Sequence, residues 1–290
     1  KACVIGAGFG GMALAIRLQS HGIETTVVEA RDKPGGRAYF WEKDGFTFDP
    51  GPNVITDPLC LEELWQLTGH DISEDVELVK VRRLYRLNWP DGTNFEYSND
   101  EEQLNAEIAK LEPDDVVGYQ RFLEYSQRVY EEGYLKLGTK PFLDFKTMLK
   151  AAPALVREQA WRSVYSMVSS YIKNEKLREA FSFHSLLVGG NPMKTSSIYA
   201  LIHKLEKDGG VWWARGGTNR LIAGMVRPFE RLGGTMRVGD PVVQVHTLGP
   251  RASEVATKSG LKDRSQHVAS TPHSRHSYKH LQACSSRRQT

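Results

Sequence analysis

The segment VIGAGFGGMALAIRLQSHGIETTVVEA, residues 4–30, decides the fold that this chain is expected to adopt. It passes from a short apolar run through a glycine-rich turn into a stretch with apolar residues at helical spacing, and then into a second apolar run. This order is typical of a strand, a tight turn, a helix and a second strand. The helix is predicted to end near His21 and Gly22, because glycine readily takes the left-handed conformation found at helix C-termini.

Three glycines in the turn, Gly6, Gly8 and Gly11, have the spacing G-x-G-x-x-G. The first permits the tight turn, the second lets backbone N–H groups approach a pyrophosphate, and the third allows the helix to lie close to the strand. The second strand ends on Glu29, where a carboxylate accepts hydrogen bonds from both ribose hydroxyls of an adenosine. The segment therefore predicts adenine-dinucleotide binding, and the alternative is an ordinary strand–helix–strand unit.

The composition is that of a globular protein with room for two domains. Of the 290 residues 40% are hydrophobic and 25% are charged, and the net charge of +3 is too small to indicate a nucleic-acid partner. The three cysteines are widely spaced, so neither a disulfide framework nor a zinc site is predicted. Without a signal peptide before the first strand or an apolar run of about 18 residues, the chain is expected to be cytoplasmic.

A second glycine-rich element follows the acidic residue. It consists of a G-G-R triplet and a G-x-x-x-D-x-G pattern, formed by Gly35, Gly36 and Arg37 and then by Gly45, Asp49 and Gly51. The combination resembles the FAD-dependent amine-oxidase and carotenoid-desaturase superfamily, which favours FAD over NAD. Arg37 is suited to pair with the pyrophosphate through its planar, permanently charged guanidinium group. The alternative for Arg37 is a solvated arginine in a turn.

The order of patterns predicts an α/β fold, in which a Rossmann-type FAD-binding domain accompanies a second α+β substrate domain with a helical insertion. The FAD-binding domain is expected at residues 1–85 and 206–250, and the substrate region at 86–205. The run DPVVQV, which contains Val242, predicts a strand that returns to the nucleotide-binding sheet.

Residues 251–290 are predicted to be a disordered or aberrant tail. Their second half is rich in basic residues and histidine and has almost no large apolar side chains. His273, His276, His280 and Cys284 lie here, but no partner motif frames them as ligands, so no metal site is predicted.

Residues 134–149, YLKLGTKPFLDFKTML, combine Leu, Phe and Met with Lys136, Lys140 and Lys146. This mixture suits peripheral association with a membrane surface, where apolar side chains enter the acyl boundary and lysines contact head groups. The alternative is that the apolar side chains belong to the core and the lysines to a solvated face.

Segments spread along the chain resemble the bacterial-type phytoene desaturases of carotenoid biosynthesis. They include AGFGGMALAIRL, RDKPGGRAYFWEKDGFTFDPGPNVITDP, GYLKLGTKPFL and GVWWARGGT. The resemblance implies non-covalent FAD held by Gly6, Gly8, Gly11, Glu29, Gly35, Gly36, Arg37 and the backbone of Val242. It implies desaturation of phytoene, a long polyene hydrocarbon, toward lycopene-type carotenoids, in which the flavin accepts a hydride and the adjacent carbon loses a proton.

The resemblance ends near residue 247, whereas family members run on to a glycine-rich segment that closes over the flavin ring. A truncated product with an incomplete cofactor clamp is therefore expected, and the sequence indicates no catalytic residue. Two alternatives are a non-catalytic isoprenoid-binding protein on the same fold and a flavin amine oxidase with a polar substrate.

Overall fold

The computed structural model describes residues 1–82, 84–138, 140–248, 251–272 and 277. The chain divides into two compact units, one formed by Lys1–Val79 with Trp212–Thr290 and the other by Lys80–Val211. The substrate region expected at residues 86–205 lies within the second of these units. In the described part of the chain, no helix is both long and apolar enough to cross a membrane.

The first unit is built on a parallel sheet of four strands. In spatial order they are β13 (His267–Ser270), β1 (Ala2–Ile5), β2 (Thr25–Val28) and β9 (Thr235–Arg237). Both β1 and β2 are buried along their whole length, as expected for strands covered on both faces. They are joined by α1 (Phe9–Ser20), so the strand, turn, helix and strand predicted from residues 4–30 are confirmed.

Helices cover one face of this sheet. They are α1, α2 (Leu59–Gln66) and α9 (Thr218–Arg231). The helices and the sheet share one apolar cluster, which includes Val4, Met12, Ile16, Val27, Trp65, Met225 and Phe229. Burial of this continuous face fixes where α1 and α9 lie, because the apolar stripe of each helix has to be removed from water.

An antiparallel sheet covers the other face. Its strands are β10 (Val242–Leu248), β11 (Arg251–Thr257) and β12 (Lys262–Asp263). The prediction that the strand with Val242 returns to the nucleotide-binding sheet is wrong, because β10 pairs with β11 and the returning strands are β9 and β13. Val242 and Val245 are buried whereas Val243 is exposed, and a shift of register between Val242 and Gln244 places the two buried valines on one face although they are three residues apart.

The expectation of a disordered tail is wrong for residues 251–270, which form β11, β12 and β13. Val255 and Val268 pack in one cluster with Cys3, Ile5 and Val28. A few apolar residues at the correct alternation are enough to order short strands against an existing sheet, although the average composition is polar. The histidines at 273, 276 and 280 and Cys284 lie outside the described residues.

The remaining strands form two-stranded sheets. The first pair is β3 (Trp41–Lys43) with β4 (Phe46–Phe48), the second is β5 (Leu78–Lys80) with β8 (Trp212–Ala214), and the third is β6 (Tyr85–Asn88) with β7 (Asn94–Tyr97). The β6–β7 pair is antiparallel, and residues 90–92 lie in the turn that joins it.

The second unit is mainly helical, as the sequence predicts. Its α-helices are α3 (Glu101–Leu111), α4 (Asp115–Tyr130), α5 (Phe145–Arg157), α6 (Val164–Val168), α7 (Glu175–Ser182) and α8 (Leu201–Gly209). A single π-helical turn, Glu131–Lys136, continues α4, and 3₁₀ turns occur at Phe183–Val188 and Ser197–Ala200. The core of the unit is aromatic and includes Phe95, Tyr97, Tyr119, Phe122 and Phe181.

Candidate functional site

The turn between β1 and α1 has a conformation that only glycine permits. Gly6 has φ of +97°, in the region that residues with a side chain rarely adopt. A Cβ atom added to Gly11 would lie 2.0 Å from the carbonyl oxygen of Gly6, so a side chain at position 11 would displace α1 from the turn. By contrast, a Cβ atom at the neighbouring Gly10 would meet nothing within 4 Å.

The carboxylate of Glu29 holds this turn from the end of β2. The backbone N–H of Ala7 donates to Oε2 at 2.7 Å, and the N–H of Arg31 donates to Oε1 at 2.9 Å. Glu29 is 7% exposed, so these amides compensate for the lost hydration of its charge. Each carboxylate oxygen still has a further acceptor position, which is what recognition of ribose hydroxyls requires.

The G-G-R turn lies directly on the glycine turn. The N–H of Gly35 donates to the carbonyl oxygen of Ala7 at 2.9 Å, and a Cβ atom on Gly36 would lie 3.0 Å from Cα of Gly8. Gly35 and Gly36 both have positive φ, of +147° and +58°. The two glycine motifs are therefore in backbone contact, and Arg37 follows immediately.

Among the described residues, no side chain caps the N-terminus of helix α1. Gly8 is the N-cap residue, the cap has no side-chain hydrogen bond, and the first turn contains no acidic residue. Arg37 is exposed, and among the described residues its guanidinium has no ion-pair or hydrogen-bond partner. A helix N-terminus without a side-chain cap, in contact with a turn that carries an exposed arginine, is suited to an anion such as a pyrophosphate.

Val242 lies apart from the glycine turn. It is buried on β10, in the cluster on the face of the parallel sheet opposite to α1. The link to the site is the segment just before it, since the N–H of Asp240 donates to the carbonyl oxygen of Glu29 at 3.1 Å. Gly6 thus contacts Gly11, Gly8 contacts Gly36, and Glu29 and Gly35 both bond to the backbone of Ala7 between Gly6 and Gly8. Arg37 and Val242 are joined to this group only through the adjoining backbone.

Sequence reasoning missed Thr271 as a residue of this site. Its hydroxyl donates to the carbonyl oxygen of Ile5 at 2.9 Å and lies 3.2 Å from that of Gly6. A Cβ atom on Gly6 would lie 2.8 Å from this hydroxyl oxygen, so Thr271 also restricts position 6 to glycine. The only available signal was the short apolar run before it, which the polar composition of the tail obscured.

The cysteine under the turn has no sign of reactivity. Cys3 is fully buried on β1, and this burial raises the pKa of its thiol to about 12. A thiol that stays protonated at neutral pH is neither a nucleophile nor a metal ligand. Cys3 therefore acts as a small apolar residue of the strand.

The second unit contains a buried cluster of titratable side chains, formed by Tyr85, Tyr97, Tyr119, His184, His203 and Glu206. Nε2 of His184 lies 3.2 Å from Oε2 of Glu206, and the hydroxyl of Tyr85 donates to Oε1 at 2.9 Å. The hydroxyls of Tyr97 and Tyr119 each lie 3.2 Å from a ring nitrogen of His203. Burial, and secondarily the neighbouring His184, holds the pKa of His203 well below its usual value.

An exposed apolar surface also belongs to the second unit. It consists of Leu135, Phe142, Leu143, Phe145, Met148 and Leu149, and we refer to it as the 135–149 surface. Phe145, Met148 and Leu149 lie on one face of α5, whereas Ala151 on another face is buried. Leu143 is 88% exposed and Phe145 is 72% exposed, so the alternative that these side chains form the core is wrong.

Comparisons with known proteins agree with the geometry. Residues 9–285 match the family described as flavin containing amine oxidoreductase. The chain is 58% identical, over 97% of its length, to a phytoene desaturase (lycopene-forming) of Paracoccus sp., and 55% identical, over 96%, to one of Pantoea ananas. It spans 56% of the length of each relative. These identities confirm the resemblance inferred from the sequence motifs.

The fold is also found among solved structures. An oxidoreductase from Methanosarcina mazei superimposes with a TM-score of 0.65, over 99% of this chain and 62% of that protein. The sequence identity is 18%, so this likeness shows the shared α/β fold alone.

Proposed function

Because the chain belongs to the family of flavin containing amine oxidoreductases, we propose that it is the dinucleotide-binding and substrate-binding part of an FAD-dependent phytoene desaturase. One observation carries this proposal: the identity of 58% extends over 97% of the chain, so it includes the second unit as well as the glycine motifs. A shared cofactor alone would favour similarity in the first unit only. The proposed reaction is desaturation of phytoene toward lycopene-type carotenoids.

The proposed cofactor is FAD, because the residues of the first unit suit the adenosine and pyrophosphate parts of that molecule. Glu29 would accept hydrogen bonds from the ribose, and the N-terminus of α1 with Arg37 would hold the pyrophosphate. The glycines at 6, 8, 11, 35 and 36 would let the protein backbone approach the cofactor closely, and Val242 would lie beside the adenine. When bound, FAD supplies a hydride acceptor, and the protein contributes its orientation and surroundings.

The proposed substrate has no polar group, so it has to be held by shape and by burial of apolar surface. Phytoene dissolves in membranes, which gives the 135–149 surface a role. We propose that this surface associates peripherally with the bilayer, with its apolar side chains in the acyl boundary. The exposed Lys140 and Lys146 would lie near anionic head groups.

Cofactor titration tests the first part of the proposal. The purified 290-residue chain is freed of flavin and titrated with FAD, FMN and NAD, with quenching of flavin fluorescence as the readout for the two flavins and protein fluorescence for NAD. We expect the tightest binding for FAD, because FMN lacks the adenosine whose ribose Glu29 would bind. Equal affinity for FAD and FMN, or no flavin binding, would contradict the proposal.

The substrate is tested in cells that accumulate phytoene, where coloured product reports desaturation. A colourless chain that binds isoprenoid tightly without flavin would instead favour the non-catalytic alternative.

Membrane association is tested by co-sedimentation with vesicles that contain anionic lipid. Leu143→Ser is expected to weaken it, whereas Val117→Ser, on the exposed face of α4, serves as the matched control.

A further inference from the structure

The loop at residues 49–53 packs directly on the G-G-R turn. A Cβ atom on Gly51 would lie 2.9 Å from both the carbonyl oxygen of Arg37 and Cα of Ala38. Real Cβ atoms do not approach backbone atoms so closely, so this contact requires glycine. The loop therefore packs against the backbone that leads from Arg37 to Ala38.

The other side of this loop is fastened to the start of α9. The backbone N–H of Thr218 donates to Oδ2 of Asp49 at 2.5 Å, and the hydroxyl of Thr218 donates to the carbonyl oxygen of Pro52 at 2.8 Å. The same hydroxyl lies 2.9 Å from Oδ1 of Asn53. Three residues of the loop, Asp49, Pro52 and Asn53, thus contact Thr218.

Asp49 also provides what α9 lacks at its N-terminus. The N-cap residue is Gly217, which has no side chain, and the first turn of the helix contains no acidic residue. A carboxylate at this end interacts favourably with the helix dipole and with the free N–H groups. Asp49 therefore caps α9 from a distant part of the sequence.

The hydrogen bonding of Asp49 is incomplete. Its Oδ1 atom is buried and, in the described part of the first unit, it is the one buried side-chain oxygen without a hydrogen-bond partner. Leaving such an atom unpaired lowers stability, so a purely structural cap would be better made by a residue within the helix. The bond from Thr218 to Asp49 instead joins the 49–53 loop to α9. Helix α9 in turn packs on α1, because Leu221 and Met225 lie in the same apolar cluster as Met12 and Ile16.

We propose that Asp49 is a positioning residue of the FAD site, which fixes the loop at 49–53 to α9 and thereby holds Arg37 beside the N-terminus of α1. The inference rests on the proposed binding of FAD. Asp49 acts through the backbone of Gly51 and Arg37 and needs no contact with the cofactor. Loss of the Asp49–Thr218 bond releases the turn that carries the guanidinium, and the cofactor then binds less tightly and less rigidly.

The test compares FAD affinity across variants of the purified 290-residue chain. We expect Asp49→Ala to raise the Kd for FAD about tenfold, in line with loss of one charge-assisted hydrogen bond, and Asp49→Asn to raise it less because it retains an acceptor. The circular dichroism of the bound flavin should change with Asp49→Ala. Unfolding without FAD is measured in parallel, so that affinity is assigned to folded protein.

A second pair of variants isolates the hydrogen bond itself. Thr218→Ala keeps the backbone N–H and loses the hydroxyl, whereas Thr218→Pro at this first helical position loses both at little cost to the helix. Thr218→Pro should match Asp49→Ala in FAD affinity, and Thr218→Ala should lie closer to the unmodified chain. If Asp49→Ala does not fold, the two Thr218 variants still test whether the hydrogen bond to Asp49 supports FAD binding.

Asp100→Ala is the matched control, because Asp100 caps α3 in the second unit by accepting from the N–H of Gln103 at 2.9 Å. It should lower stability without changing the affinity for FAD. The inference is overturned if Asp49→Ala and Thr218→Pro bind FAD as the unmodified chain does, with the same flavin spectrum. Absence of FAD binding by the unmodified chain would instead overturn the proposed function.

Discussion

The two units each bury a glutamate, and they do so in opposite ways. Glu29 in the first unit is 7% exposed and accepts hydrogen bonds from two backbone N–H groups. Glu206 in the second unit is fully buried, and its partners are the side chains of His184 and Tyr85. Backbone amides cannot gain or lose protons at ordinary pH, whereas both partners of Glu206 are titratable.

This difference separates a binding site from a core. Around Glu29, in the part of the chain that the structure describes, no side chain caps the N-terminus of α1 and none pairs with the guanidinium of Arg37. Around Glu206 the aromatic rings of Tyr85 and Tyr97 pack edge-on against His184. In the second unit the carboxylate of Glu206 accepts from Tyr85 and lies 3.2 Å from Nε2 of His184, and among the described residues neither ring nitrogen of His184 makes a hydrogen bond.

The largest effect is expected from a substitution in the buried cluster around Glu206. Glu206→Ala should lower the free energy of unfolding by about 3–5 kcal/mol, because it removes the acceptor of the half-buried Tyr85 hydroxyl and the carboxylate beside the buried His184. Denaturant titration followed by circular dichroism measures this loss. Glu206→Gln should cost less, since it still accepts from Tyr85, and Glu124→Ala on the exposed face of α4 is the control. A loss below about 1 kcal/mol for Glu206→Ala would show that the cluster contributes little.

The next effect concerns the turn between β1 and α1 and compares two adjacent glycines. Gly11→Ala should cost roughly 2–3 kcal/mol and abolish dinucleotide binding, because its Cβ would overlap the carbonyl oxygen of Gly6. Gly10→Ala should be neutral or slightly stabilising, since the same atom meets nothing within 4 Å and alanine favours a helix. Thermal unfolding and FAD titration measure both variants. Equal behaviour of the pair would refute the close contact between the turn and α1.

Glu29→Gln tests the role of the two amides. The side-chain amide places an NH₂ group against one of two N–H donors, so we expect a loss of about 2 kcal/mol in stability. FAD affinity should fall as well, because the turn that carries Gly8 loses one of its supports. Glu24→Gln is the control, since Glu24 is exposed and, among the described residues, its carboxylate forms one ion pair, with Lys1 at 3.4 Å. Unchanged stability of Glu29→Gln would mean that the amides do not hold the turn.

The sequence predicted the parts of the fold that depend on local patterns. Strand β1, helix α1 and strand β2 follow from apolar periodicity and from glycines at fixed spacing, and the helical second unit follows from a change of period. The sheet that contains Val242 was not predictable in this way. An apolar run indicates a strand, but its pairing partner depends on the faces that other strands leave uncovered.

The candidate site shows the same limit. The glycines and Glu29 were identified because their motif lies within one short segment, whereas the contacts that hold them come from residues far along the chain. Thr271 reaches Gly6 from a separation of 265 residues, and Asp49 reaches Thr218 from 169. The buried cluster also depends on a contact that is distant in sequence, since Tyr85 and Glu206 are 121 residues apart. Such contacts arise only after the elements have packed.

The smallest effect is a pH dependence of the free energy of unfolding, which arises from His203 in the buried cluster. Burial keeps His203 neutral in the folded chain by lowering its pKa, whereas in the unfolded chain it becomes protonated near its ordinary pKa of about 6.5. Below about pH 6.5 the unfolded state therefore binds a proton that the folded state does not, and stability decreases as the pH falls, by up to about 1.4 kcal/mol per unit. The groups that face the imidazole are Tyr97, Tyr119 and His184, with Lys204 and Lys207 on the same helix. Denaturant titrations between pH 5 and 7 measure the slope: His203→Gln should reduce it by one proton, and the exposed His21→Gln should leave it unchanged. An equal slope for the two variants would mean that His203 is not the proton acceptor, and the pH response would then belong to other groups of the chain.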